Sequence, residues 1–162
     1  MTQLVIATDG SALGNPGPGG WCWFMDEQNY AAGGEVGPVT NNQMEIVALT
    51  RCLQAIGPAT PAIIEVDSQY VLNAVTKWHH GWRRNGWRNS KGEPVANRDL
   101  LEALLELMAE RSDTATDLRW VKAHNGLWRN ENADQLAREM AGAANTAGRA
   151  LTRRAGEHKG GV

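Results

Sequence analysis

The sequence predicts an α/β domain whose sheet contains both antiparallel and parallel strands. Two apolar runs near the start, divided by a stretch rich in glycine and proline, indicate an antiparallel hairpin. Beyond residue 40, apolar residues recur at helical spacing, and strand-like and helical segments then alternate along the chain. This order is typical of α/β domains with a mixed sheet, and 162 residues suit a single domain.

The first three strands are predicted from β-favouring runs. Residues 4–8 form the first strand, which ends at Asp9 and Gly10. Residues 21–25 form the second, after the tight connection over residues 14–20. A third strand is predicted over residues 30–36, where alanine and glycine weaken the strand pattern.

A helix with an acid on its apolar stripe follows these strands. The residues with capping oxygens at its start are Thr40, Asn41 and Asn42, and Gly57-Pro58 ends it. The stripe consists of Glu45, Ala48, Leu49, Cys52, Leu53 and Ile56. An unpaired ionised Glu45 on this face would be costly, so it requires a compensating charge. A buried ion pair, or a side chain that reaches solvent from the first turn, are the alternatives to a bound cation.

A second strand-and-helix unit brings another acid to a strand end. Residues 62–66 predict a short buried strand that delivers Asp67, and Ser68 is predicted to cap the next helix. The apolar positions of that helix are Val71, Leu72 and Val75.

The second half of the chain contains two more helices and a strand. Asn97 is predicted to cap a leucine-rich helix, and residues 118–122 alternate like a strand that leads into a polar loop. Asn130 is predicted to cap the last helix, which places Asp134 in its first turn. There the helix dipole favours the ionised carboxylate.

Residues 143–162 show little periodicity, with glycines among scattered charges. They are predicted to form a flexible tail behind a catalytic domain of residues 1–142. Whether the tail recruits a protein partner is left open by the sequence.

Composition limits the classes of function. The formal net charge is −2, so any surface for nucleic acid must be local. Cys22 and Cys52 lie in apolar surroundings, which indicates buried, reduced thiols. There is no basic leader and no apolar stretch of about 20 residues. We therefore expect a soluble, cytoplasmic and monomeric protein with no membrane partner.

Four carboxylates next to apolar segments predict a divalent-metal site: Asp9, Glu45, Asp67 and Asp134. Each one alone is unremarkable, since Asp-Gly commonly opens a turn. Gathered together, they would repel each other and lose hydration unless cations lay between them. Oxygen ligands suit Mg²⁺ or Mn²⁺, and paired ions are a common device for phosphodiester displacement. His124, in a loop with Gly126, can transfer protons near neutrality; the alternative is a surface histidine without a role.

Residues 77–91, which we call the protrusion, combine aromatic rings with cations. Such a segment is suited to grip a nucleic-acid backbone while packing against sugars or bases. The alternative is an aromatic subcore with a charged rim. Both hold if Trp78 packs inward while Trp82 and Trp87 face a groove.

The motifs together resemble those of type I ribonuclease H, the bacterial ribonuclease HI family. They occur in the family's order over residues 3–142. The matching segments are Asp9-Gly10-Ser11, residues 14–20, residues 40–45, residues 67–71, residues 120–124 and residues 130–134.

The resemblance implies the ribonuclease H-like fold. Its mixed five-stranded sheet has helices on both faces, in the order of three strands, a helix, a strand, three helices, a strand and a helix. It also implies an endonuclease that cuts the RNA strand of an RNA/DNA hybrid and leaves 5′-phosphate and 3′-hydroxyl ends. Two Mg²⁺ ions would act in catalysis, and Mn²⁺ would substitute.

The resemblance also assigns roles to individual residues. The metal ligands carry over to Asp9, Glu45, Asp67 and Asp134, and the proton-transfer and product-release histidine to His124. Amide side chains near the RNA 2′-hydroxyls, a DNA-phosphate pocket at Thr40 and Asn97, and a channel aromatic at Trp82 would bind the substrate. The full substrate-binding set is Gly10, Ser11, Asn15, Thr40, Asn41, Asn42, Gln43, Gln69, Trp78, Trp82, Arg83, Arg84, Trp87 and Asn97.

Two departures from the family pattern bear on this transfer. Pro38 stands where some relatives place an arginine in the DNA-phosphate pocket, which predicts a weaker pocket. Leu127-Trp128 differs from the small or proline-containing loop of close relatives, which leaves the mobility of the His124 loop open.

Two other functions compete with the nuclease. A non-catalytic module that only binds RNA/DNA hybrids would be expected to have lost one of the four carboxylates, and none is lost. A junction-cutting nuclease or a transposase core would lack the protrusion.

Overall fold

The computed structural model describes residues 3–122 and 126–156. The strands are β1 (Leu4–Ala12), β2 (Gly17–Asp26), β3 (Asn29–Val39), β4 (Ala62–Val66), β5 (Thr116–Trp120) and β6 (Leu151–Arg154). The α-helices are α1 (Asn41–Ile56), α2 (Gln69–Asn73), α3 (His79–Arg84), α4 (Arg98–Ala109) and α5 (Trp128–Ala147). A π-helical turn, Ala74–Trp78, joins α2 to α3.

The strands form one mixed sheet in the order β5-β4-β1-β2-β3-β6. β1 pairs antiparallel with β2 and parallel with β4, and β5 pairs parallel with β4. The predicted α/β class and mixed sheet are confirmed. The predicted count of five strands is wrong, because β6 adds to the outer edge of β3.

Residues 143–154, predicted to belong to a flexible tail, instead form the end of α5 and the strand β6. The Leu-Thr-Arg-Arg sequence of β6 has no apolar alternation. Backbone pairing with β3, together with an ion pair between Arg153 and Glu139 of α5 at 2.9 Å, holds this strand.

Helices cover both faces of the sheet. Ile6 and Ile64 point into a core shared with α1 and α4, whereas Ala7 and Cys22 point into a core shared with α5. Cys22 and Cys52 are both buried and free of disulfides, as expected. Among the helices of the described ranges, none has the length and apolar character needed to cross a membrane.

The predicted helix caps are right for two helices and wrong for two. Thr40 caps α1 in a capping box with Gln43, and Ser68 caps α2. Asn97 precedes α4 with φ of 63° but makes no side-chain cap, because its amide bonds other elements. The last helix begins at Trp128, so Asn130 lies inside it and Asp134 falls in the second turn rather than the first. The helix-dipole argument for Asp134 therefore does not hold.

Candidate active site

Three carboxylates meet where β1 and β4 diverge. Asp9, Glu45 and Asp67 each offer a carboxylate oxygen within 4.8 Å of the others. The parallel pairing of β1 with β4 ends at Thr8 opposite Val66, so the acids that follow, Asp9 and Asp67, lie side by side. We call this end of the strands the carboxylate edge. Asp9 itself lies inside β1 and not at its end, because β1 continues to Ala12 through its pairing with β2.

Gly10 brings α1 close enough for Glu45 to complete the cluster. A Cβ added at Gly10 would lie 2.2 Å from the backbone carbon of Met44 and 2.3 Å from the backbone nitrogen of Glu45. Only a residue without a side chain permits this approach of helix to strand. The helix then directs Glu45 into the cluster, where it is 7% exposed, compared with 5% for Asp9.

The cluster strongly resists ionisation of its acids. Burial raises the pKa of Asp9 to about 8; the hydrogen bond with Glu45 lowers it, whereas the charges of Asp67 and Asp134 add to the rise. Burial and the neighbouring Asp9 charge hold the pKa of Glu45 well above its usual range. Burial also raises the pKa of Asp67. Three ionised carboxylates in this space therefore require a counter-charge.

The donor set fits a hard divalent cation. The Oε2 atom of Glu45 is buried without a hydrogen-bond partner, which is costly for a carboxylate unless a cation binds it. Within residues 3–122 and 126–156, the ion pairs of the structure involve none of Asp9, Glu45 and Asp67. The sequence left two alternatives to a bound cation, namely a buried ion pair of Glu45 and a Glu45 side chain that reaches solvent. Neither is found in the part of the chain that the structure describes.

Asp134 lies beside this cluster on α5. It acts electrostatically on the Asp9 carboxyl, yet it is not one of the three acids that share the 4.8 Å grouping. Its Oδ2 atom pairs with the Arg138 Nη2 at 2.6 Å, and its side chain is 26% exposed. The structure thus places the fourth predicted acid next to the site with a side-chain partner. His124, the predicted proton-transfer residue, lies outside the described residues.

The turn between β1 and β2 is tied to the start of α1. The Asn15 side-chain oxygen accepts the Asn41 backbone N–H at 2.9 Å, and the Asn41 side-chain oxygen accepts the Ala12 backbone N–H at 2.7 Å. These bonds bring the predicted RNA-reading residues of two distant segments to one edge. Ser11 is half-buried and Asn42 is exposed at this edge.

A side-chain network links α1, α2 and the start of α4. The Gln43 amide nitrogen donates to the Asn97 side-chain oxygen at 3.2 Å, and the Asn97 amide nitrogen donates to the Tyr70 hydroxyl at 3.2 Å. Thr40 joins through its capping box with Gln43. The residues of the predicted phosphate pocket are thus connected. Sequence reasoning missed Tyr70, although it directly follows Gln69, which is exposed at the start of α2.

The ring of Tyr70 and three rings of the protrusion form a row, called the ladder below, that leads from the surface into the core. Ring centroids are 6.1 Å apart for Tyr70 and Trp78, 5.9 Å for Trp78 and Trp82, and 6.1 Å for Trp82 and Trp87. Trp78 is 42% exposed and Trp87 only 8%. The expectation that Trp78 packs inward and Trp87 faces a groove is therefore wrong. Trp87, with φ of 61°, lies where the chain turns back and buries its ring under the Arg98 guanidinium.

Cations surround the exposed part of this ladder. A cleft of about 510 Å³ on the protrusion is lined by Lys77, Trp78, Trp82, Arg84 and Arg88, among others. Arg83 is exposed on the same helix. The two interpretations of the segment hold together, since it is an aromatic subcore with a cationic surface.

Comparison with known proteins decides the family. Residues 1–142 match the model of the RNase H family. The chain belongs to the ribonuclease H family. The ribonuclease H of Caulobacter sp. (strain K31) is 45% identical over 139 residues, which cover 84% of this chain and 88% of that protein. Family membership confirms the predicted resemblance and makes this protein a ribonuclease H nuclease.

Solved structures agree with the fold. LC9-RNase H1, described as a type 1 RNase H with the type 2 active-site motif, matches with a TM-score of 0.70 and 25% identity over 94% of this chain and 79% of that one. The foamy viral protease-reverse transcriptase in complex with dsDNA matches with a TM-score of 0.68 and 25% identity over 85% of this chain and 92% of that one.

The Asp9→Asn variant is expected to be more stable than the wild type in the presence of a chelator. Folding raises the pKa of Asp9 from 3.8 to about 8, so the stability contributed by its protonated form is complete below about pH 4 and is lost as pH rises towards about 8. The asparagine has no such loss. Its advantage should grow over this range to on the order of 5 kcal/mol, since a pKa difference of one corresponds to about 1.4 kcal/mol.

Urea unfolding in chelator at about pH 4, 6 and 8 measures this difference. Asp113→Asn, at an exposed acid, is the control and should show no comparable trend. Equal stabilities of the Asp9→Asn variant and the wild type at about pH 8 would contradict the electrostatic account of the cluster.

Proposed function

We propose that this protein is an endonuclease that hydrolyses the RNA strand of RNA/DNA hybrids and leaves 5′-phosphate and 3′-hydroxyl ends. The observation that carries the proposal is the buried cluster of Asp9, Glu45 and Asp67, with an unpartnered Glu45 oxygen, on a ribonuclease H family fold. A cluster this costly to the fold is expected to be kept for chemistry.

Asp9, Glu45, Asp67 and Asp134 would hold Mg²⁺, for which Mn²⁺ can substitute. Two such ions, when bound, activate a water molecule and stabilise the leaving oxygen of a phosphodiester. The protein's part would be to hold oxygen donors of Asp9, Glu45 and Asp67 within 4.8 Å of one another, with Asp134 of α5 beside them, before substrate arrives. No side chain is assigned as a nucleophile.

His124 is proposed to transfer protons during the reaction and to assist product release. A histidine imidazole can both accept and donate a proton near neutral pH, which suits this role. In the sequence it stands between β5, which ends with Trp120 opposite Val66, and α5, which carries Asp134.

Recognition of the RNA strand is assigned to amide side chains at the carboxylate edge. Asn15, Asn41, Gln43 and Gln69 can donate to and accept from 2′-hydroxyls, which DNA lacks. The ties of Asn15 and Asn41 to the backbone support this role, because they fix the turn and the helix start relative to each other. Gly10 and Ser11 would contribute backbone contacts.

The DNA strand is proposed to contact Thr40, Asn97 and the protrusion. The cleft with Lys77, Arg84 and Arg88 offers charges to phosphates, and the exposed ring of Trp78 and the half-buried ring of Trp82 offer packing surfaces to sugars. The solved complex of the foamy viral relative with dsDNA supports a nucleic-acid partner.

A cleavage assay on RNA/DNA, RNA/RNA and DNA/DNA duplexes tests the proposed function. With Mg²⁺ or Mn²⁺ we expect cleavage of the RNA strand of the hybrid alone, and none in chelator. Phosphatase treatment of the products should remove a 5′-phosphate. Comparable cleavage of RNA/RNA, or activity in chelator, would contradict the proposal, and tight hybrid binding without cleavage would favour the non-catalytic binding module.

Arg83→Ala combined with Arg84→Ala is expected to weaken hybrid binding. Loss of two phosphate contacts should lower the affinity about tenfold and reduce the slope of log K against log salt by about 1.8. Titrations in chelator at several salt concentrations measure both quantities. Arg119→Ala, at an exposed arginine of β5, is the control. Unchanged affinity and unchanged slope would show that the protrusion is not a phosphate-binding surface.

A further inference from the structure

A second cationic surface lies on the same face of the sheet as the protrusion, on the other side of α1. A cavity of about 530 Å³ between α1 and β6 adjoins one of about 410 Å³, and Trp21, Arg51 and Thr152 line both. We call the two together the basic groove. The protrusion follows β4, whereas the basic groove lies over β2, β3 and β6, so Asp9 on β1 lies between the two surfaces in the strand order.

The charge of the basic groove is mainly positive. Arg51, Arg149 and Arg154 line it, and all three residues are exposed. Glu35 is the acid among its described lining residues. Residues 143–156 contain three arginines and no acid, although the whole chain carries a net charge of −2. The basic groove is therefore a local positive patch, as the protrusion is.

The floor of the basic groove is aromatic and rigid. The ring of Trp21 is almost fully buried and packs so closely on Gly33 that an added Cβ there would lie 2.4 Å from it. The Arg51 guanidinium lies 5.4 Å from the centre of that ring. This contact holds the guanidinium at the groove while leaving its side chain exposed. Thr152 and Gln54 add a hydroxyl and an amide to the lining.

The strand register places one end of the basic groove, the smaller cavity with Arg149 and Leu151, beside the carboxylate edge, and the larger cavity extends from there to the β2–β3 turn. Asp9 lies opposite Cys22, Cys22 opposite Ala32, and Ala32 opposite Arg153, so β6 is three strands away from Asp9. At a strand spacing of about 4.8 Å this is roughly 14 Å. Leu151 is at the level of Ser11 by the same pairing, and Arg149 comes just before it at the same edge.

We propose that the basic groove binds the phosphate backbone of the nucleic acid that extends past the cleavage site, on the side away from the protrusion. The inference rests on the proposed function for the identity of that nucleic acid. Arginines beside polar side chains are the usual donors to phosphate oxygens. The common sheet edge favours the substrate over an acidic protein segment, because a duplex held at the acids continues over the neighbouring strands.

The basic groove also lies partly outside the residues that the family model matches. The family model matches residues 1–142, whereas Arg149, Thr152 and Arg154 come after that match. The groove therefore adds a contact to the substrate surface that the matched region alone does not contain.

Arg51→Gln combined with Arg149→Gln tests the proposal, with Arg51→Lys combined with Arg149→Lys as the matched control that keeps both charges. Two hybrids are titrated in chelator. The long one has about 24 base pairs (~80 Å), and the short one about 6 base pairs (~20 Å) closed by a non-nucleotide linker. The length of the short hybrid is less than the width of the six-stranded sheet, which is about 24 Å.

The glutamine pair is expected to bind the long hybrid about tenfold more weakly, with the salt slope reduced by about 1.8. Its affinity for the short hybrid should match that of the wild type, and the lysine pair should restore long-hybrid binding. Urea unfolding checks that both pairs fold, which is expected because both side chains are exposed.

Wild-type affinity of the glutamine pair for the long hybrid would overturn the proposal, as would an equal loss on both hybrids. A polyglutamate peptide that binds only when Arg51 and Arg149 are present, with hybrid binding unchanged, would overturn it in favour of an acidic protein partner. Cleavage of the two hybrids by the wild type with Mg²⁺ is scored separately. Its failure would remove the proposed function, while the chelator titrations would still report on the groove.

Discussion

Asp9→Asn is expected to lower the rate of hybrid cleavage by at least about a thousandfold, or about 4 kcal/mol in the barrier. Asp9 is the central acid of the site, since its carboxyl interacts with Glu45, Asp67 and Asp134. Asparagine has nearly the same shape but no charge, so the variant loses a cation ligand while the packing around it is kept. The loss should therefore appear in the chemical step and not in folding.

Single-turnover cleavage at saturating Mg²⁺ measures this loss, with circular dichroism and hybrid titration in chelator as checks on fold and binding. Affinity for the hybrid should be equal to that of the wild type or slightly higher, because a negative charge near the phosphates is removed. Asp113→Asn, at an exposed acid, should cleave at the wild-type rate. A rate for Asp9→Asn within tenfold of the wild type would contradict the metal-ligand assignment.

The same substitution is expected to stabilise the metal-free fold and to remove its activity. This combination separates a functional acid from a structural one. Removal of a structural carboxylate would lower the free energy of unfolding as well as the rate of cleavage. The unpartnered oxygen of Glu45 follows the same logic, since a structural role would have given it a donor.

Two members of the carboxylate cluster were predictable because they stand at a strand end or on an apolar stripe, whereas Asp9 lies inside β1 and not at the predicted strand end. Asp67 follows a buried strand, and Glu45 lies on the helix face that points to the core, so both positions follow from periodicity alone. The position of Asp134 was harder to predict. Its helix starts at Trp128, two residues before the polar Asn130 that suggested a cap.

The elements that the sequence did not predict depend on tertiary contacts. The strand β6 has no apolar pattern of its own and exists through pairing with the edge of β3. Trp87 was expected at the surface, but a left-handed residue conformation turns its ring into the core. The amide of Asn97 was expected to cap α4 and instead bonds Gln43 and Tyr70 from other helices. None of these contacts leaves a trace in local propensity.

Gly20→Ala is expected to destabilise the protein by roughly 2–3 kcal/mol and to raise the Mg²⁺ concentration needed for half-maximal cleavage. Gly20 of β2 is buried under α5, and an added Cβ would lie 1.8 Å from the carbonyl oxygen of Ala137. That atom belongs to the helix backbone, so the whole helix must move away from the sheet. Asp134 is one turn earlier on the same helix and would move with it.

Gly142→Ala is the matched control, since it places the same methyl group on α5 where no atom lies within 4 Å. It should stabilise the helix by about 0.5–1 kcal/mol through its propensity and leave the Mg²⁺ dependence unchanged. Urea unfolding and cleavage over a range of Mg²⁺ concentrations measure both variants. If Gly20→Ala lost stability with an unchanged Mg²⁺ dependence, the placement of Asp134 by α5 would not matter to cation binding, and three carboxylates would suffice.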